Sequence, residues 1–309
     1  MQESNDTSSV SVVINILVGG QYTERCIDAL RRQEDSPPLE IIVPVCPAFD
    51  DVEHLRRTHP DIQFPIVTGV PAGADPSHPG LAHLIYNRRR AAGLAAATGD
   101  IIALTEDQII PDPRWCVSMV QAHAAAPYGA IGGAVENGGG GVLHQALYLC
   151  DFGRYQRPFL AGESAFLTDQ NVSYKRAAIE KVRHAWSDTY DEPTVHGALR
   201  DTGDKLWLTP ECVVWMDRGR LSLLRQLRER YAWGRVFGGT RARQVSARRR
   251  AVLLLLSPAI PVLIVWRLLR GNGWREALLA LPVIVLLVLF WVLGEAAGYA
   301  TARPFPKSE

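Results

Sequence analysis

The stretch RAAGLAAATGDIIALTED, residues 90–107, indicates the fold of this chain more strongly than any other segment. Its alanine-rich beginning predicts a helix that ends at Gly99, and residues 100–107 predict a buried strand that ends in Glu106 and Asp107. Helix, glycine and buried strand in this order are typical of a mostly parallel, doubly wound sheet. Because ligands bind beyond the carboxyl ends of such strands, Glu106 and Asp107 mark the first place to look for chemistry.

The segments on either side extend this alternation. Buried strands are predicted at 10–18, 39–45 and 62–69, with helices between them and at 81–99. Beyond residue 115 the pattern is mixed, and strands, turns or strand-to-helix segments are predicted at 130–141, 166–182 and 206–216. The sequence therefore predicts an α/β domain over roughly the first two thirds of the chain.

The composition is that of a globular protein, but the charge is unevenly distributed. The 309 residues carry a formal net charge of +1, and 47% of them are hydrophobic. Residues 1–217 hold 17 basic and 28 acidic residues, whereas residues 218–250 hold eleven arginines and one acid. We expect no nucleic-acid partner. The five cysteines show no paired spacing, which argues against a zinc site or a disulfide framework.

The C-terminal region is strongly apolar. Residues 277–294 form an uncharged run of 18, and residues 251–266 form a shorter uncharged run that contains two prolines. We expect these runs to form a membrane hairpin, with the first one either a short kinked span or a re-entrant or interfacial segment. Three arginines at 248–250 favour a cytoplasmic catalytic body, although the linker 267–276 also carries three arginines. The alternative is a buried core hairpin of a soluble protein.

The order of features between about Val10 and Arg243 resembles that of the family-2 glycosyltransferases with a GT-A fold. The matching segments are VSVVINILVGGQYTERCIDALRRQ, LEIIVPV, RAAGLAAATGDIIALTEDQIIPDPRW, TDQNVSYKRAAI, YDEPTVHGALRDTG and RYAWGRVFGGTRAR. The resemblance implies a Rossmann-like nucleotide-sugar-binding domain with a mixed sheet, followed by two transmembrane helices. The expected organisation is a disordered N-terminus at 1–9, a GT-A domain at 10–217, an Arg-rich juxtamembrane segment at 218–250, a membrane hairpin at 251–302 and a tail at 303–309.

The acidic strand end matches the position of the family's Asp-x-Asp motif, which holds a divalent cation on the donor diphosphate. This chain has Thr105-Glu106-Asp107 there, so threonine replaces the first Asp. The resemblance implies that Asp107 ligates Mg²⁺ or Mn²⁺, because hard cations prefer carboxylate oxygens. Glu106 is expected either as a second ligand or as a contact to the donor sugar. The alternative is a solvated acidic loop.

The resemblance also implies a catalytic base. The family carries an acidic pair eleven residues before a glycine that ends the next helix, and counting back from Gly203 gives Glu192, with Asp191 before it. A carboxylate at this point would deprotonate the acceptor hydroxyl in direct inverting transfer. The alternative is a helix start, because Glu192-Pro193 is also favourable chemistry for the first turn of a helix.

The remaining site predictions rest on the same resemblance. Arg235, and more weakly Arg230, are expected to bind the leaving diphosphate, although each arginine in this region is also consistent with a juxtamembrane surface. Trp233 and Asn171 are expected near the acceptor, with a turn as the alternative role for Asn171. Arg90 and Asp50 are expected near the donor nucleotide, Asp50 because the family's nucleobase-reading Asp is missing at Val45 and Cys46. For Arg90 the alternative is a solvated helix face shared with Arg88 and Arg89.

The sequence thus predicts a metal-dependent inverting glycosyltransferase. It would move a sugar from a nucleotide-sugar donor to a lipid-linked or cell-envelope glycan acceptor, as in polysaccharide biosynthesis at the cell envelope. We expect it at the inner or plasma membrane with its catalytic domain in the cytoplasm. The alternatives are a polyprenyl-phosphate glycosyltransferase and a non-catalytic GT-A domain that acts as a membrane scaffold or binding module.

Overall fold

A computed structural model describes residues 8–70, 79–125, 127–270 and 274–302. The predictions for residues 1–7 and for the tail at 303–309 lie outside the described residues. The described chain divides into two compact units. The first comprises the described parts of Met1–Pro76, Leu81–Glu136 and Arg157–Asp217, and the second those of Ser77–Gly80, Asn137–Gln156 and Arg218–Glu309.

The described residues form strands and helices in the following order. The strands are β1 (Val10–Asn15), β2 (Leu39–Ile42), β3 (Ile101–Glu106), β4 (Ile109–Pro111), β5 (Ala130–Asn137), β6 (Gly162–Glu163), β7 (Val172–Lys175) and β8 (Leu206–Met216). The helices are α1 (Gln21–Arg31), α2 (Val52–Thr58), α3 (Pro79–Ala96), α4 (Trp115–Ala125), α5 (Val142–Phe152), α6 (Arg176–Lys181), α7 (Glu192–Asp201), α8 (Leu223–Gln244), α9 (Ala247–Leu256), α10 (Ile260–Arg270) and α11 (Trp274–Thr301).

The first unit is built around a mixed sheet with the strand order β2-β1-β3-β7-β5-β8-β4, and β6 pairs with β8. Strand β1 pairs in parallel with β2 and β3, so the parallel arrangement expected from the first strands is present there. Strand β7 is antiparallel to both β3 and β5, and β4 and β6 are antiparallel to β8. The mixed sheet agrees with the fold that the resemblance implies.

The predicted strand at 62–69 does not form. Gln63 and Ile66 make only isolated parallel bridges to Ile42 and Val45. Pro65 lies between them and has no N–H, so a continuous ladder cannot be completed along this segment. The segment predicted as a third strand lies beside residues 41–45 and shares four backbone hydrogen bonds with them, but Pro65 keeps it from forming one continuous strand.

Burial explains why the central strands form as the sequence predicts. All six residues of β1 and all six of β3 are buried. Strands covered on both faces read as continuous apolar runs, and this is the pattern of both segments. Glycine is required where β1 approaches the end of α3, because a Cβ at Gly99 would lie 2.6 Å from the backbone nitrogen of Ser11. Glu106 ends the buried strand β3 and Asp107 follows it, so both acids lie at the carboxyl edge of the sheet.

The second unit contains α5 and the four C-terminal helices. By length and composition, α11 is the one described helix that could cross a membrane by itself. The prediction of two such helices needs correction. The first apolar run is broken into α9 and α10, which meet at an angle of 53° around a 3-10 turn at Ser257–Ala259. Pro258 and Pro261 account for the break, because proline removes backbone hydrogen bonds of a continuous helix.

Candidate functional site

Asp107 follows β3 directly and faces the loop between β1 and α1. Its Oδ2 accepts hydrogen bonds from the backbone N–H groups of Val18 at 2.9 Å and Gly19 at 2.6 Å. Its Oδ1 is buried and has no hydrogen-bond partner. Burial raises the pKa of Asp107, and the backbone N–H groups of Gly19 and Val18 oppose this rise. One oxygen therefore anchors the loop, and the other is a buried acceptor without a partner in a side chain that is 2% exposed.

Glu106, the last residue of β3, lies in a buried polar cluster. The side chain is 2% exposed. Its Oε1 accepts hydrogen bonds from Arg90 Nη2 at 2.9 Å and Gln170 Nε2 at 2.9 Å, and a further one from the Tyr86 hydroxyl. Burial raises the pKa of Glu106 to about 7, and the Arg90 guanidinium opposes this rise. Glu106 is therefore bound tightly within the protein rather than exposed to a ligand.

Arg90 joins this strand end to the loop before β7. The side chain is 1% exposed, and its Nη2 lies 2.9 Å from Glu106 Oε1 and 2.9 Å from Asp169 Oδ2. Its guanidinium carbon lies 3.5 Å from the centroid of the Tyr86 ring, one turn earlier on α3, so a cation–π contact adds to the two ion pairs. Arg90 Nε and Nη1 are buried and have no hydrogen-bond partner. The solvated helix face considered for Arg90 is excluded.

Glu192, the first residue of α7, contacts the same cluster through Asp169. Its Oε2 accepts a hydrogen bond of 3.2 Å from the backbone N–H of Asp169. Burial raises the pKa of Glu192 to about 8, with a further contribution from the nearby Asp169 carboxylate. Asp191 is the N-cap of α7, where its side chain accepts a hydrogen bond from the backbone N–H of Thr194 at 3.1 Å. The structure thus places Asp191 in the helix-start role that the sequence left open, and Glu192 beside Asp169.

A buried hydrogen-bonded network supports the start of α7. The Tyr174 hydroxyl lies 2.6 Å from the Tyr190 hydroxyl and 2.8 Å from Nε2 of His196. Burial lowers the pKa of His196 to about 4, so this imidazole is neutral at neutral pH. Satisfied buried networks of this kind fix the positions of the elements that carry them. The network holds β7 and α7 together just beneath Glu192.

Three residues of this cluster were not found from the sequence: Tyr86, Asp169 and Gln170. Tyr86 lies four residues before Arg90, a spacing that puts both side chains on one face of a helix and could have indicated their contact. Asp169 and Gln170 belong to the segment that resembles the acceptor side of the family. No local signal shows that this loop folds back onto Arg90, because the contact depends on the antiparallel insertion of β7 next to β3.

Two predicted site residues are fully occupied by the protein itself. The Asn171 amide donates to the carbonyl oxygens of Ala134 at 2.8 Å and Cys212 at 2.9 Å, and accepts from Trp115 Nε1 at 2.9 Å. Asp50 receives Arg89 Nη2 at 2.7 and 2.6 Å on its two oxygens. Asn171 therefore holds β5, β8 and α4 in register, and Asp50 ties the loop after β2 to α3. The backbone N–H of Asn171 also donates to the carbonyl oxygen of Thr168 at 3.0 Å, which closes a turn, so the turn expected there is present. An acceptor contact by Asn171 stays a prediction.

Arg230, Arg235 and Trp233 belong to the second unit. Arg230 forms an ion pair with Asp151 at 2.7 Å, and Arg218 binds the same carboxylate at 2.6 Å. Arg235 Nε is buried and has no hydrogen-bond partner, and the Trp233 side chain is partly exposed. Arg230 thus has a stabilising role within its own unit. Diphosphate binding by Arg230 and Arg235 and acceptor binding by Trp233 remain predictions.

The divalent cation implied by the resemblance can be tested against the residues present. In the part of the chain that the structure describes, no group of three or more His, Cys, Asp and Glu side chains could hold a metal ion. A cation on a diphosphate needs only one or two protein carboxylates, because phosphate oxygens and water complete its shell. The unpartnered Oδ1 of Asp107 fits such a single ligand. Glu106 does not fit, and the Thr105 hydroxyl donates to the carbonyl oxygen of Gln170 at 3.1 Å.

Comparison with known proteins gives a fold but no family. No protein-family model matches the chain, and no curated protein matches it. Among solved structures, it is similar to the mannosyltransferase PcManGT from Pyrobaculum calidifontis in complex with GDP-Man and Mn²⁺. The TM-score is 0.50 and the sequence identity 16%, over 95% of this chain and 85% of that chain. The chain therefore shares the fold of a nucleotide-sugar glycosyltransferase.

Proposed function

We propose that this chain is a metal-dependent inverting glycosyltransferase of family 2 that transfers a sugar from a nucleotide-sugar donor to a membrane-associated acceptor. The fold shared with a mannosyltransferase bound to GDP-Man and Mn²⁺ supports the reaction class. The resemblance of six ordered segments supports the family. The apolar helix α11 and the arginines before it support attachment to the membrane.

One observation carries the proposal more than the others. Glu192 and Glu106, which are far apart in the sequence, are connected through Asp169 and Arg90 by contacts of 3.2, 2.9 and 2.9 Å. Asp107, beside Glu106, keeps an unpartnered oxygen. A direct displacement needs one group to stabilise the leaving diphosphate and another to accept the acceptor's proton. The arrangement provides a residue for each role in the first unit.

In the proposed reaction the roles divide between two carboxylates. Asp107 would hold a divalent cation, which supplies charge neutralisation for the diphosphate when it is bound. Glu192 would take the proton from the acceptor hydroxyl, and because burial raises its pKa to about 8 it would be a stronger base than an exposed carboxylate once it is deprotonated. Arg90 and Asp169 would hold Glu192 and the strand end in fixed relation.

The direct test is a panel of UDP-, GDP- and dTDP-sugars incubated with the full-length protein and Mn²⁺. Transfer or hydrolysis of at least one donor is the expected result, and it should require the cation. A polyprenyl phosphate and a glycan acceptor should be supplied in separate reactions, which distinguishes the two acceptor classes. Metal-dependent nucleotide binding without turnover, or no binding of any donor, would instead support the scaffold alternative.

Asp107→Asn should reduce kcat/KM by about 100-fold or more, because a carbonyl oxygen is a much weaker ligand for a hard cation than a carboxylate. Asparagine can still accept the N–H groups of Val18 and Gly19, so the fold should be retained. Titration of Mn²⁺ by calorimetry, in the presence of nucleotide, measures the loss of affinity. Asp188→Asn is the matched control, since its carboxylate is 84% exposed. Unchanged Mn²⁺ affinity in Asp107→Asn would reject Asp107 as the ligand.

The pH dependence of the reaction should report Glu192. Its pKa is raised to about 8 by burial and by Asp169, against an opposing effect of Arg90 and with a smaller rise from Asp191. Because the deprotonated form is the active base, kcat/KM should rise about tenfold per pH unit below pH 8 and level off above it. Initial rates at fixed Mn²⁺ between pH 6 and pH 9.5 measure the profile. A flat profile across pH 7 to 9 contradicts the assignment.

A further inference from the structure

The second unit exposes an unusually apolar surface on its C-terminal helices. On α9 and α10 the exposed apolar side chains are Val252, Leu255, Leu256, Val262, Leu263 and Trp266. On α11 they are Trp274, Leu278, Leu279, Leu286, Leu289 and Leu293. Leu255 and Leu279 are each 78% exposed. Exposed apolar surface of this extent marks a site of interaction with a partner or a membrane.

The apolar side chains of α11 are divided between two faces. Residues buried within the unit recur at helical spacing and include Ala277, Ala280, Ile284, Leu287 and Val288. The exposed leucines lie between these positions, with Leu279, Leu286 and Leu293 seven residues apart. A helix that crosses a bilayer meets lipid or apolar protein around its whole circumference. One face of α11 is therefore exposed, and the other packs against helices of its own unit.

The buried face of α11 is covered in part by α8, which is rich in arginine. The two backbones approach so closely that a Cβ at Gly234 would collide with the carbonyl oxygen of Trp291, and one at Gly238 with that of Glu295. The contacts continue in the same direction, since Arg243 Nε donates to the carbonyl oxygen of Ala302 at 3.2 Å. The two helices therefore run parallel, side by side, along the second half of α11.

This packing places charge beside the apolar helix. Helix α8 carries six arginines and one glutamate, namely Arg225, Arg228, Glu229, Arg230, Arg235, Arg241 and Arg243. The same unit contains the partly buried ion pairs of Asp151 with Arg218 and Arg230 at 2.6 and 2.7 Å. Charged side chains are strongly disfavoured in the hydrocarbon core of a bilayer. If α11 crossed the membrane, α8 would have to enter the hydrocarbon with it.

The helices before α11 are also suited to a membrane surface. The bend of 53° between α9 and α10 leaves each of them about 15 Å long, half of the thickness of the hydrocarbon core. Exposed arginines at 248, 249, 267 and 275 flank their apolar side chains. Arginine beside exposed leucine and tryptophan fits an anionic lipid surface, where the apolar side chains enter the acyl region and the guanidinium groups contact phosphate.

We propose that the second unit binds one leaflet of an anionic membrane and does not span the bilayer. The exposed leucine face of α11, together with α9 and α10, enters the leaflet, and the arginine-rich α8 stays on the aqueous side. This inference rests on the membrane attachment proposed above and is independent of the transfer reaction.

Labelling of the two ends of α11 in the full chain tests the proposal. Glu276→Cys and Ala300→Cys replace exposed residues near the two ends. A membrane-impermeant maleimide is applied to intact spheroplasts and to inverted membrane vesicles from expressing cells. Both cysteines should react in inverted vesicles and neither in spheroplasts. Reaction of the two positions from opposite sides would overturn the proposal but not the attachment, and recovery of all protein in the soluble fraction would overturn both. The parent chain gives the background, because its cysteines are buried or partly buried.

Binding of purified protein to vesicles tests the surface itself. Leu255→Glu and Leu263→Glu should each weaken binding to vesicles of phosphatidylcholine and phosphatidylglycerol by about tenfold or more. Leu160→Glu in the first unit is the matched control, because Leu160 is 95% exposed, and it should bind like the parent chain. Binding should also weaken when phosphatidylglycerol is omitted. Equal binding by all three variants would overturn the assignment of this surface.

Discussion

Replacing Glu192 with glutamine is expected to reduce kcat for sugar transfer by about 10²–10⁴-fold, the usual contribution of a general base. Glutamine keeps an oxygen that can accept the backbone N–H of Asp169, now 3.2 Å from Glu192 Oε2, so the start of α7 should be preserved. The amide cannot take a proton from the acceptor. Steady-state rates with the donor identified by the nucleotide-sugar panel, together with donor affinity, separate a loss of chemistry from a loss of binding.

Glu180→Gln serves as the control for this change. Glu180 lies on α6 in the same unit and forms a surface ion pair with Arg183 at 2.7 Å. Loss of this carboxylate should leave kcat within about twofold of the parent value, because exposed ion pairs contribute little to the stability of the fold. If Glu192→Gln keeps kcat within threefold of the parent, Glu192 is not the base. A drop in donor affinity with unchanged kcat would place its role in binding instead.

Arg90→Met should lower the free energy of unfolding by about 3–5 kcal/mol, the usual cost of removing one partner of a buried ion pair. Methionine approximates the volume of the side chain but leaves the Glu106 and Asp169 carboxylates without their shared cation, now 2.9 Å from each. It also removes the cation–π contact with Tyr86. Urea unfolding followed by circular dichroism measures this change in free energy, at a pH where the parent chain and Arg90→Met both fold.

Two further variants distinguish the lost ion pairs from a general packing defect. Arg88→Met alters the neighbouring arginine, whose ion pair with Asp188 is 3.5 Å long and largely exposed on the acid's side, and should cost less than about 1 kcal/mol. Adding Glu106→Gln to Arg90→Met removes one uncompensated charge and should recover part of the loss. Equal destabilisation by Arg88→Met and Arg90→Met, or no recovery in the double variant, would contradict the central role of Arg90.

Local sequence patterns predicted the elements of the central sheet because burial on both faces leaves an uninterrupted apolar run. The strands at 10–18, 39–45 and 100–107 correspond to β1, β2 and β3. The segment at 62–69 has the same apolar character, yet Pro65 prevents the ladder. The same pattern predicted Glu106 and Asp107 at the carboxyl edge of the sheet, because both acids come at the end of a buried strand.

Local sequence patterns did not predict which residues the polar side chains contact. Asp50, Asn171 and Arg230 have the residue types of a binding site, but the structure pairs them with Arg89, with backbone groups and with Asp151. Residue type and spacing describe what a side chain can bind. Which of the possible partners it meets depends on strands inserted from distant parts of the chain.

The sequence by itself determined the alternating α/β domain, the acidic strand end and the separation of an acidic body from a basic and apolar C-terminal region. These features follow from short-range periodicity and composition, which a single segment contains in full. Only the tertiary structure decided that Arg90 is buried between Glu106 and Asp169, that Glu192 joins them, and that α11 has one face covered by an arginine-rich helix. Each of these depends on antiparallel or side-by-side packing of segments remote in sequence, where burial and charge pairing are set by the neighbour rather than by the segment itself.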